Sequence, residues 1–540
     1  MIIRSHKNQR TLGVDEPIKD TNHGAPVSRR ELIARGFMTG PAVITAPAML
    51  AMLFGPEQAR AMSPDLEAML GPTQCAIQAG AGKVPFICFD LAGGANLMGS
   101  EILLGQAGNP LNFLSTAGYS KVGLPGNMTP NSPNPANTTT NNFINSEFGA
   151  AWHSDGAILR GMQGSTQAAT RANTNGFSIA ARSENDTSNN PHNPMYGINT
   201  AGADGQLLTL IGSQNSDSGG NSMAPASMMN PGARPTKVDR ASDVTGLVDT
   251  GELGTLFTNQ DDAIAVLESM TRLSQSKADI VKTKLAASDE AALRKLVKCG
   301  YLKSTYLADR FRTPSALNPD LDTNIVGATN SIFTQAEYNG DNEFRKTAAI
   351  MKMVINGYAG AGTVTMGGFD YHGQGRPTAE DRNFRAGRCI GACLEYAARM
   401  QKPLMIYVFS DGSLSAGGAP DMSTGGRGKL GWMSDNQSTA SSFVLVYRPL
   451  GRVAFRDPSK GLQQQVGSLS AAADVVTTSW QGANAVNLLV EAVILNYMAL
   501  HGEEGQFATK FPRNGLGGTA SRDAITMFAP VCSGTVSNPA

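Results

Sequence analysis

The sequence predicts an α/β fold, in which a mostly parallel sheet is flanked by helices. From residue 343 onward the segments alternate as helix, strand, helix, strand, loop and strand, which is typical of such a sheet. Hydrophobic residues make up 41% of the 540 residues, charged residues make up 16%, and the formal net charge is zero. This composition provides for a large core. It excludes a disordered chain, collagen and a nucleic-acid-binding protein that relies on bulk positive charge.

The first 61 residues have the features of an export signal. Residues 28–33 contain Arg29 and Arg30 before apolar residues and resemble a twin-arginine signal, a moderately apolar stretch spans 37–54, and 59–61 fit a signal-peptidase site. A buried N-terminal helix is the alternative interpretation. We therefore expect residues 1–61 to be a twin-arginine signal peptide. The rest of the chain would then be periplasmic, secreted or on the cell surface.

Short segments, most of them apolar, predict five strands in the rest of the chain. They lie at 84–90, 176–181, 363–366, 404–409 and 443–447. Helices are predicted at 148–162, at 343–356 and, from a capping-box pattern at 378–381, as far as about 401.

Two further segments have helical patterns. Residues 258–312 have apolar residues at helical spacing, so residues 62–540 are predicted to be a single α/β domain with a helical insertion there. The most apolar late segment, 485–500, contains Asn487, Glu491 and Asn496. It predicts a buried helix rather than a membrane span, so we expect no transmembrane segment in residues 62–540.

Six cysteines follow residue 61, and their spacing matches no zinc cluster. Cys389 and Cys393 lie four residues apart on a predicted helix and are interpreted as small core residues. The oxidising compartment implied by export permits disulfides, but the spacing leaves their pairing open.

Polar side chains follow the predicted strands. Because ligands bind at the carboxyl ends of parallel strands, these side chains are candidates for one site. Asp370 and His372, directly after a strand, predict two ligands of a divalent cation such as zinc, manganese or calcium. The further candidate ligands are Asp411, Asp435, His192 and Asp90, and Ser183 also follows a strand. The alternative is that these residues cap helices and close turns.

No strong nucleophile motif is present in the sequence. It contains no Gly-x-Ser-x-Gly elbow, no phosphate-binding loop with lysine and no His-Glu-x-x-His. Ser413, two residues after Asp411, is the candidate catalytic residue, and a role as a turn residue is the alternative.

The segment 367–374, Gly-Gly-Phe-Asp-Tyr-His-Gly-Gln, resembles a known signature. It is similar to Gly-Phe-Asp-Thr-His-x-x-Gln of the exported bacterial family called domain of unknown function 1501. The helix and strand that follow, with Phe409 and Ser410, resemble that family's Phe-Ser-Glu-Phe-Gly region, and 91–95 resembles its first double-glycine turn. The resemblance implies an alkaline-phosphatase/sulfatase-like core with a divalent metal site at the sheet edge.

The chain departs from this family's pattern at two places, which indicates a divergent member. Residues 410–414 read Ser-Asp-Gly-Ser-Leu where the family has Ser-Glu-Phe-Gly-Arg, and 435–437 read Asp-Asn-Gln where it has Asp-His-Gly. Asn436 in place of histidine removes a nitrogen ligand. The family's Ser-His-Phe segment is also missing near Ser183, although His192 lies close by in the sequence.

Two functions are consistent with these observations. The first is an exported metal-dependent hydrolase of phosphate or sulfate esters, with a small ester or glycan-type substrate. The second is a non-catalytic envelope or surface protein that binds a partner or copies of itself. A twin-arginine oxidoreductase is a third alternative, but the sequence carries no cofactor fingerprint.

Overall fold

A computed structural model describes residues 63–70, 75, 81–130, 142–183, 190–247, 260–310, 317–457 and 465–540. The predicted signal peptide, residues 1–61, lies outside the described residues. The chain divides into two compact units. One is formed by Met1–Ile77 with Leu247–Ala316, and the other by Gln78–Gly246 with Leu317–Ala540. Among the described helices, none combines the length and the apolar character needed to cross a bilayer.

The larger strands and helices are numbered here in chain order. The strands are β1 Phe86–Leu91, β2 Thr174–Ala180, β3 Leu208–Gly212, β4 Thr236–Lys237, β5 Ala359–Met366, β6 Leu404–Phe409, β7 Leu414–Asp421, β8 Lys429–Asp435, β9 Ser441–Tyr447 and β10 Gln465–Val466. The longer helices are α1 Ala157–Ser165, α2 Gln260–Ile280, α3 Ala287–Arg310, α4 Asn342–Ile355, α5 Arg376–Arg399 and α6 Val486–Ala499.

Shorter α-helices and strands are also present in the described chain. Short helices span Pro64–Glu67, Thr116–Lys121, Ala168–Ala172, Met195–Ala201, Ala241–Gly246, Gln335–Gly340, Phe507–Lys510 and Thr519–Ile525. Two short strand pairs join Ile144–Asn145 to Trp152–His153 and Cys532–Ser533 to Thr535–Pro539.

Eight strands of the larger unit form one mixed sheet in the order β10-β2-β9-β6-β1-β5-β3-β4. Strand β9 is antiparallel to both of its neighbours, β2 and β6. The other neighbouring strands are parallel. The predicted α/β class, with a mostly parallel sheet, is therefore confirmed.

Helices cover both faces of this sheet. Ile350 of α4 lies against Gly362 of β5, where an added Cβ atom would come within 2.6 Å of it. On β1, the ring of Phe86 packs edge-on against Tyr497 of α6, with 5.7 Å between ring centroids. Phe86 pairs with Ala361, the residue before Gly362. Since successive residues of a strand face opposite sides, α4 and α6 lie on opposite faces.

Two predictions about helix starts are wrong. The helix assigned to a capping box at 378–381 begins earlier, at Arg376, with Pro377 in its first turn. Proline suits that position because its fixed φ is helical and its missing N–H needs no partner there. The helix predicted at 148–162 begins only at Ala157, because Trp152–His153 pairs as a short strand.

The smaller unit contains an antiparallel pair of helices, α2 and α3, within the stretch predicted to be helical. The hydroxyl groups of Thr271 and Thr305 lie 2.7 Å apart. Nearer the connection between the helices, the Lys298 ammonium lies 2.6 Å from the Asp279 carboxylate. The later residue of α2 therefore faces the earlier residue of α3, as an antiparallel hairpin requires.

A disulfide joins Cys75 to Cys299 of α3 within this unit. The sequence left this pairing open because 224 positions separate the two cysteines. Cys389 and Cys393 are fully buried in α5, which confirms their predicted place in the core.

Candidate metal centre at the carboxyl edge of the sheet

The loop after β5 presents Asp370 and His372 on one side. Phe369 and Tyr371 are buried, whereas Asp370 and His372 are partly exposed. This alternation is expected of extended backbone, in which successive side chains point in opposite directions. The amide of Phe369 donates to the carbonyl oxygen of Ala92 at 3.0 Å, which fixes the loop against the turn that follows β1.

The hairpin formed by β7 and β8 brings Asp435 to the same place. Strands β7 and β8 pair in antiparallel fashion, and Asp435 is the last residue of β8. The amide of Gly373 donates to the carbonyl oxygen of Trp432 at 3.1 Å, which ties the loop carrying His372 to this strand. Asp435 is therefore 65 and 63 positions beyond Asp370 and His372 in sequence but adjacent to them in the fold.

Ligand atoms of Asp370, His372 and Asp435 converge in this cluster. One ligand atom from each residue lies within 4.8 Å of the other two. His372 Nδ1 is 2.5 Å from Asp370 Oδ1 and 3.4 Å from Asp435 Oδ1. Asp370 Oδ1 and His372 Nδ1 are shielded from solvent and lie in direct polar contact with each other.

This arrangement fits a divalent cation bound by two carboxylates and one imidazole. Zinc binds imidazole nitrogen and carboxylate oxygen at about 2.0–2.2 Å, so ligand atoms around one ion lie roughly 3–4 Å apart. The 3.4 Å between His372 Nδ1 and Asp435 Oδ1 matches this spacing, whereas the 2.5 Å between His372 Nδ1 and Asp370 Oδ1 is shorter, so these two side chains must separate to bind one ion. Oxygen and nitrogen donors favour zinc or manganese over softer metals.

Asp411, predicted as a further ligand, lies beside this cluster but is not one of its three members. Its Oδ1 accepts a hydrogen bond from the amide of Gly93 at 3.0 Å, and its Oδ2 accepts one from Asn221 Nδ2 at 3.3 Å. Gly93 in turn lies against Asp370, because an added Cβ atom would be only 2.3 Å from the Asp370 nitrogen. The fully buried Asp411 carboxylate therefore holds the turn that supports the cluster.

Asp90, at the end of β1, is also fully buried and outside the cluster. Its Oδ2 accepts hydrogen bonds from the amides of Asn221 and Ser222, each at 2.7 Å. Burial raises the pKa of Asp90 to about 7, and the nearby charge of Asp411 adds to this increase. Asn221 donates to both carboxylates, so the two aspartates anchor the loop after β3 to the sheet edge.

His192 and Ser183 form a separate buried pair. His192 Nε2 lies 2.9 Å from Ser183 Oγ, and its ring stacks on Phe409 with 5.4 Å between centroids. Burial lowers the pKa of His192 to about 3, so the imidazole is neutral. The structure does not place His192 among the clustered ligand atoms.

Ser413, the candidate nucleophile, is buried beneath the β7–β8 hairpin. Its hydroxyl donates to the carbonyl oxygen of Thr439 at 2.9 Å and accepts from Asn96 Nδ2 at 3.2 Å and Thr439 Oγ1 at 3.1 Å. These three contacts enclose the oxygen, so in this structure Ser413 supports the hairpin rather than facing the cluster.

Arg382 is a residue at this edge that the sequence did not single out. Its guanidinium lies over Gly368, where an added Cβ atom would be 2.2 Å from Nη1. Gly368 is only two residues before Asp370, so the positive charge lies near the cluster. Within the part of the chain that the structure describes, Arg382 makes no hydrogen bond or ion pair. By contrast, Arg385 on the same helix lies 3.5 Å from Asp341.

Comparisons with protein-family models, with curated proteins and with solved structures find no match to this chain.

Proposed function

We propose that this protein is a metal-dependent hydrolase of phosphate or sulfate esters. The observation that carries the proposal is the convergence of Asp370, His372 and Asp435 at the carboxyl edge of the sheet. Catalytic metal sites commonly have three protein ligands and an open position for water or substrate. The partial exposure of the three side chains gives a small ester access to that position.

The residues of this site have separable roles in the proposed reaction. A bound divalent cation supplies Lewis acidity and lowers the pKa of a water molecule. Asp370 and Asp435 offset the charge of the cation, and His372 provides its nitrogen ligand. Arg382 supplies a positive charge for the anionic group of the ester. Water, rather than Ser413, is the proposed nucleophile because the Ser413 hydroxyl is enclosed by Thr439 and Asn96.

The relation to the family called domain of unknown function 1501, with its alkaline-phosphatase/sulfatase-like core, forms part of this proposal. It is supported by the α/β sheet and by candidate ligands in the loop after β5. Export by the twin-arginine pathway is also proposed. The disulfide between Cys75 and Cys299 supports export, since disulfides persist mainly in oxidising compartments.

A non-catalytic envelope or surface protein is the second candidate function. It is favoured by Asn436, which replaces the histidine of the family pattern. Asn436 Oδ1 accepts a hydrogen bond from the amide of Ser438 at 3.0 Å, so this side chain closes a turn instead of binding a cation. A fold that has lost a metal-ligating side chain in this way can still bind a partner protein or a second copy of itself through its loops.

Hydrolysis assays distinguish the two functions. The full chain, stripped with a chelator, is supplied with zinc or manganese and assayed with 4-nitrophenyl phosphate and 4-nitrophenyl sulfate. We expect metal-dependent turnover that falls at least a hundredfold in His372→Gln, because that variant loses the nitrogen ligand. The matched control is Asp381→Asn, an exposed carboxylate on α5 outside the cluster. Metal binding without turnover of either ester would favour the second function.

A further inference from the structure

Exposed apolar side chains are concentrated in the helical hairpin of the smaller unit. Of the 13 large apolar residues that are exposed in the described chain, eight lie in residues 260–310. The end of this hairpin, residues 277–285, is called the hairpin tip below. Within it Ile280 is 71% exposed, Val281 55% and Leu285 51%. The exposure of these side chains is an observation independent of the metal centre and of the proposed hydrolase activity.

The hairpin tip is also positively charged. Lys277, Lys282 and Lys284 are exposed, and none of them forms an ion pair with a described residue. The one acidic residue of the tip, Asp279, is paired with Lys298 at 2.6 Å. The three lysines are therefore interspersed with three exposed apolar side chains and carry a charge that nothing in the tip offsets.

The backbone of the hairpin tip is held in place by α3. Arg294 Nη2 donates to the carbonyl oxygen of Val281 at 2.6 Å. The amide and the hydroxyl of Thr283 both donate to Glu290 Oε2, at 2.9 and 2.8 Å. Because these bonds fix the connection between the helices, its apolar and basic side chains are displayed without a further ordering step.

We propose that the hairpin tip docks on an anionic lipid surface. Ile280, Val281 and Leu285 enter the boundary between headgroups and acyl chains, and the three lysines contact anionic headgroups. The tip itself is nine residues long and has three exposed apolar side chains, whereas a stable protein interface takes about 20–30 residues from each partner. Membrane attachment instead sums small apolar and electrostatic contributions, and the tip provides both.

The proposal is tested with an environment-sensitive fluorophore attached to the full chain at Val281→Cys. The same fluorophore at Leu450→Cys, an exposed apolar position in the other unit, is the matched control. Vesicles contain phosphatidylcholine alone or with 30 mol% phosphatidylglycerol. We expect a blue shift and increased emission at position 281, but not at 450, only with the anionic vesicles. The fluorophore responds only to its own surroundings. A response at position 281 therefore distinguishes docking of the tip from attachment of the chain to vesicles by residues 1–62.

Variants of the tip complete this test. The double variant Lys282→Gln, Lys284→Gln should lower the affinity for anionic vesicles, read from the emission at position 281, about thirtyfold. Each lysine near an anionic surface raises that affinity roughly fivefold. Lys402→Gln, an exposed lysine of the larger unit, should leave the response unchanged. No change in emission at 281, or an equal change with neutral vesicles, would overturn the proposal. A dimer that forms without vesicles and is lost on Ile280→Ser would overturn it in favour of self-association.

Discussion

Two aspartates at the same edge of the sheet differ in environment and therefore in role. Asp370 is partly exposed and faces an imidazole, whereas Asp90 is buried and accepts hydrogen bonds from two backbone amides. The ordinary pKa of aspartate is near 4, but burial raises the pKa of Asp90 to about 7. At the scale of the residue, Asp90 is therefore expected to contribute to pH-dependent stability, and Asp370 is a proposed cation ligand.

Substitution of Asp90 by asparagine should reduce the pH dependence of stability. The native state retains the Asp90 proton between about pH 4 and pH 7, where the unfolded state has lost it. The unfolding free energy of the wild type should therefore fall as pH rises through this window, by up to about 4 kcal/mol. Asp90→Asn keeps an oxygen acceptor and should lack this decrease. Urea unfolding at pH 4.5 and pH 8 measures it, and an equal pH effect in both proteins would contradict this assignment.

Replacement of Arg382 should weaken the binding of anionic esters. Loss of a hydrogen bond to a charged group costs about 1.5–3 kcal/mol, so Arg382→Gln should raise KM for 4-nitrophenyl phosphate roughly ten- to a hundredfold. The affinity for zinc should be unchanged, because Arg382 is not one of the candidate ligands. Arg385→Gln is the control on the same helix, since that arginine is already paired with Asp341. An unchanged KM for the phosphate ester would remove Arg382 from the site.

At the scale of the element, the site depends on how closely the turn after β1 approaches the loop after β5. Gly93 has φ +120°, and an added Cβ atom would lie 2.3 Å from the backbone nitrogen of Asp370. No side chain fits between the two segments. Gly367 differs, because no atom of the described residues lies within 4 Å of an added Cβ position and its φ is not positive.

These two glycines provide a matched pair of variants. Gly93→Ala should lower the unfolding free energy by roughly 2–4 kcal/mol, because it combines backbone strain with a steric clash. It should also weaken zinc binding, since Asp370 must shift. Gly367→Ala should leave both properties close to those of the wild type. Thermal unfolding measures the stability of the two variants, and zinc titration measures their affinity for zinc. Wild-type stability in Gly93→Ala would contradict the close approach described here.

The sequence predicts some of these elements better than others. The strands near 84–90 and 404–409 are mostly apolar runs, so the sequence predicts their position, whereas the strand predicted at 363–366 begins earlier, at Ala359. The β7–β8 hairpin is rich in glycine and polar residues and has no such pattern. Asp435 could be named as a candidate, but its approach to His372 depends on pairing between distant strands.

Among the candidate site residues, too, some features could be predicted from the sequence and others could not. Asp370 and His372 could be predicted as neighbours because they lie two residues apart after a strand. The environments of Asp411 and Ser413 could not be predicted, because the groups that enclose them come from distant segments. Gly93 and Asn221 donate to Asp411, and Thr439 lies against Ser413.

At the scale of the whole molecule, the chain leaves the smaller unit, forms much of the larger unit and then returns. The disulfide between Cys75 and Cys299 closes this path over 224 positions. Closing a loop of that length restricts the unfolded chain and stabilises the folded one by on the order of 5 kcal/mol in the chain-entropy model.

Removal of the disulfide should therefore loosen the helical hairpin. In the variant with Cys75→Ser and Cys299→Ser, amide hydrogen exchange should be faster in α2 and α3, and amides of β1 and β5 that exchange only through global unfolding should also lose protection. Dithiothreitol should reproduce this change in the wild type and have no effect on the variant. Unchanged exchange in α2 and α3 would show that the disulfide does not stabilise the hairpin.

Zinc titration by isothermal calorimetry tests the central claim, that Asp370, His372 and Asp435 bind one divalent cation. The chelator-treated full chain should bind one equivalent of zinc. His372→Gln should weaken that binding roughly a hundredfold while circular dichroism remains unchanged, since loss of even an outer-shell partner costs about 10–100-fold. Asp90→Asn, which alters a carboxylate outside the cluster, should bind as the wild type does. Failure of the folded wild type to bind zinc, or equal affinity in His372→Gln, would contradict the claim.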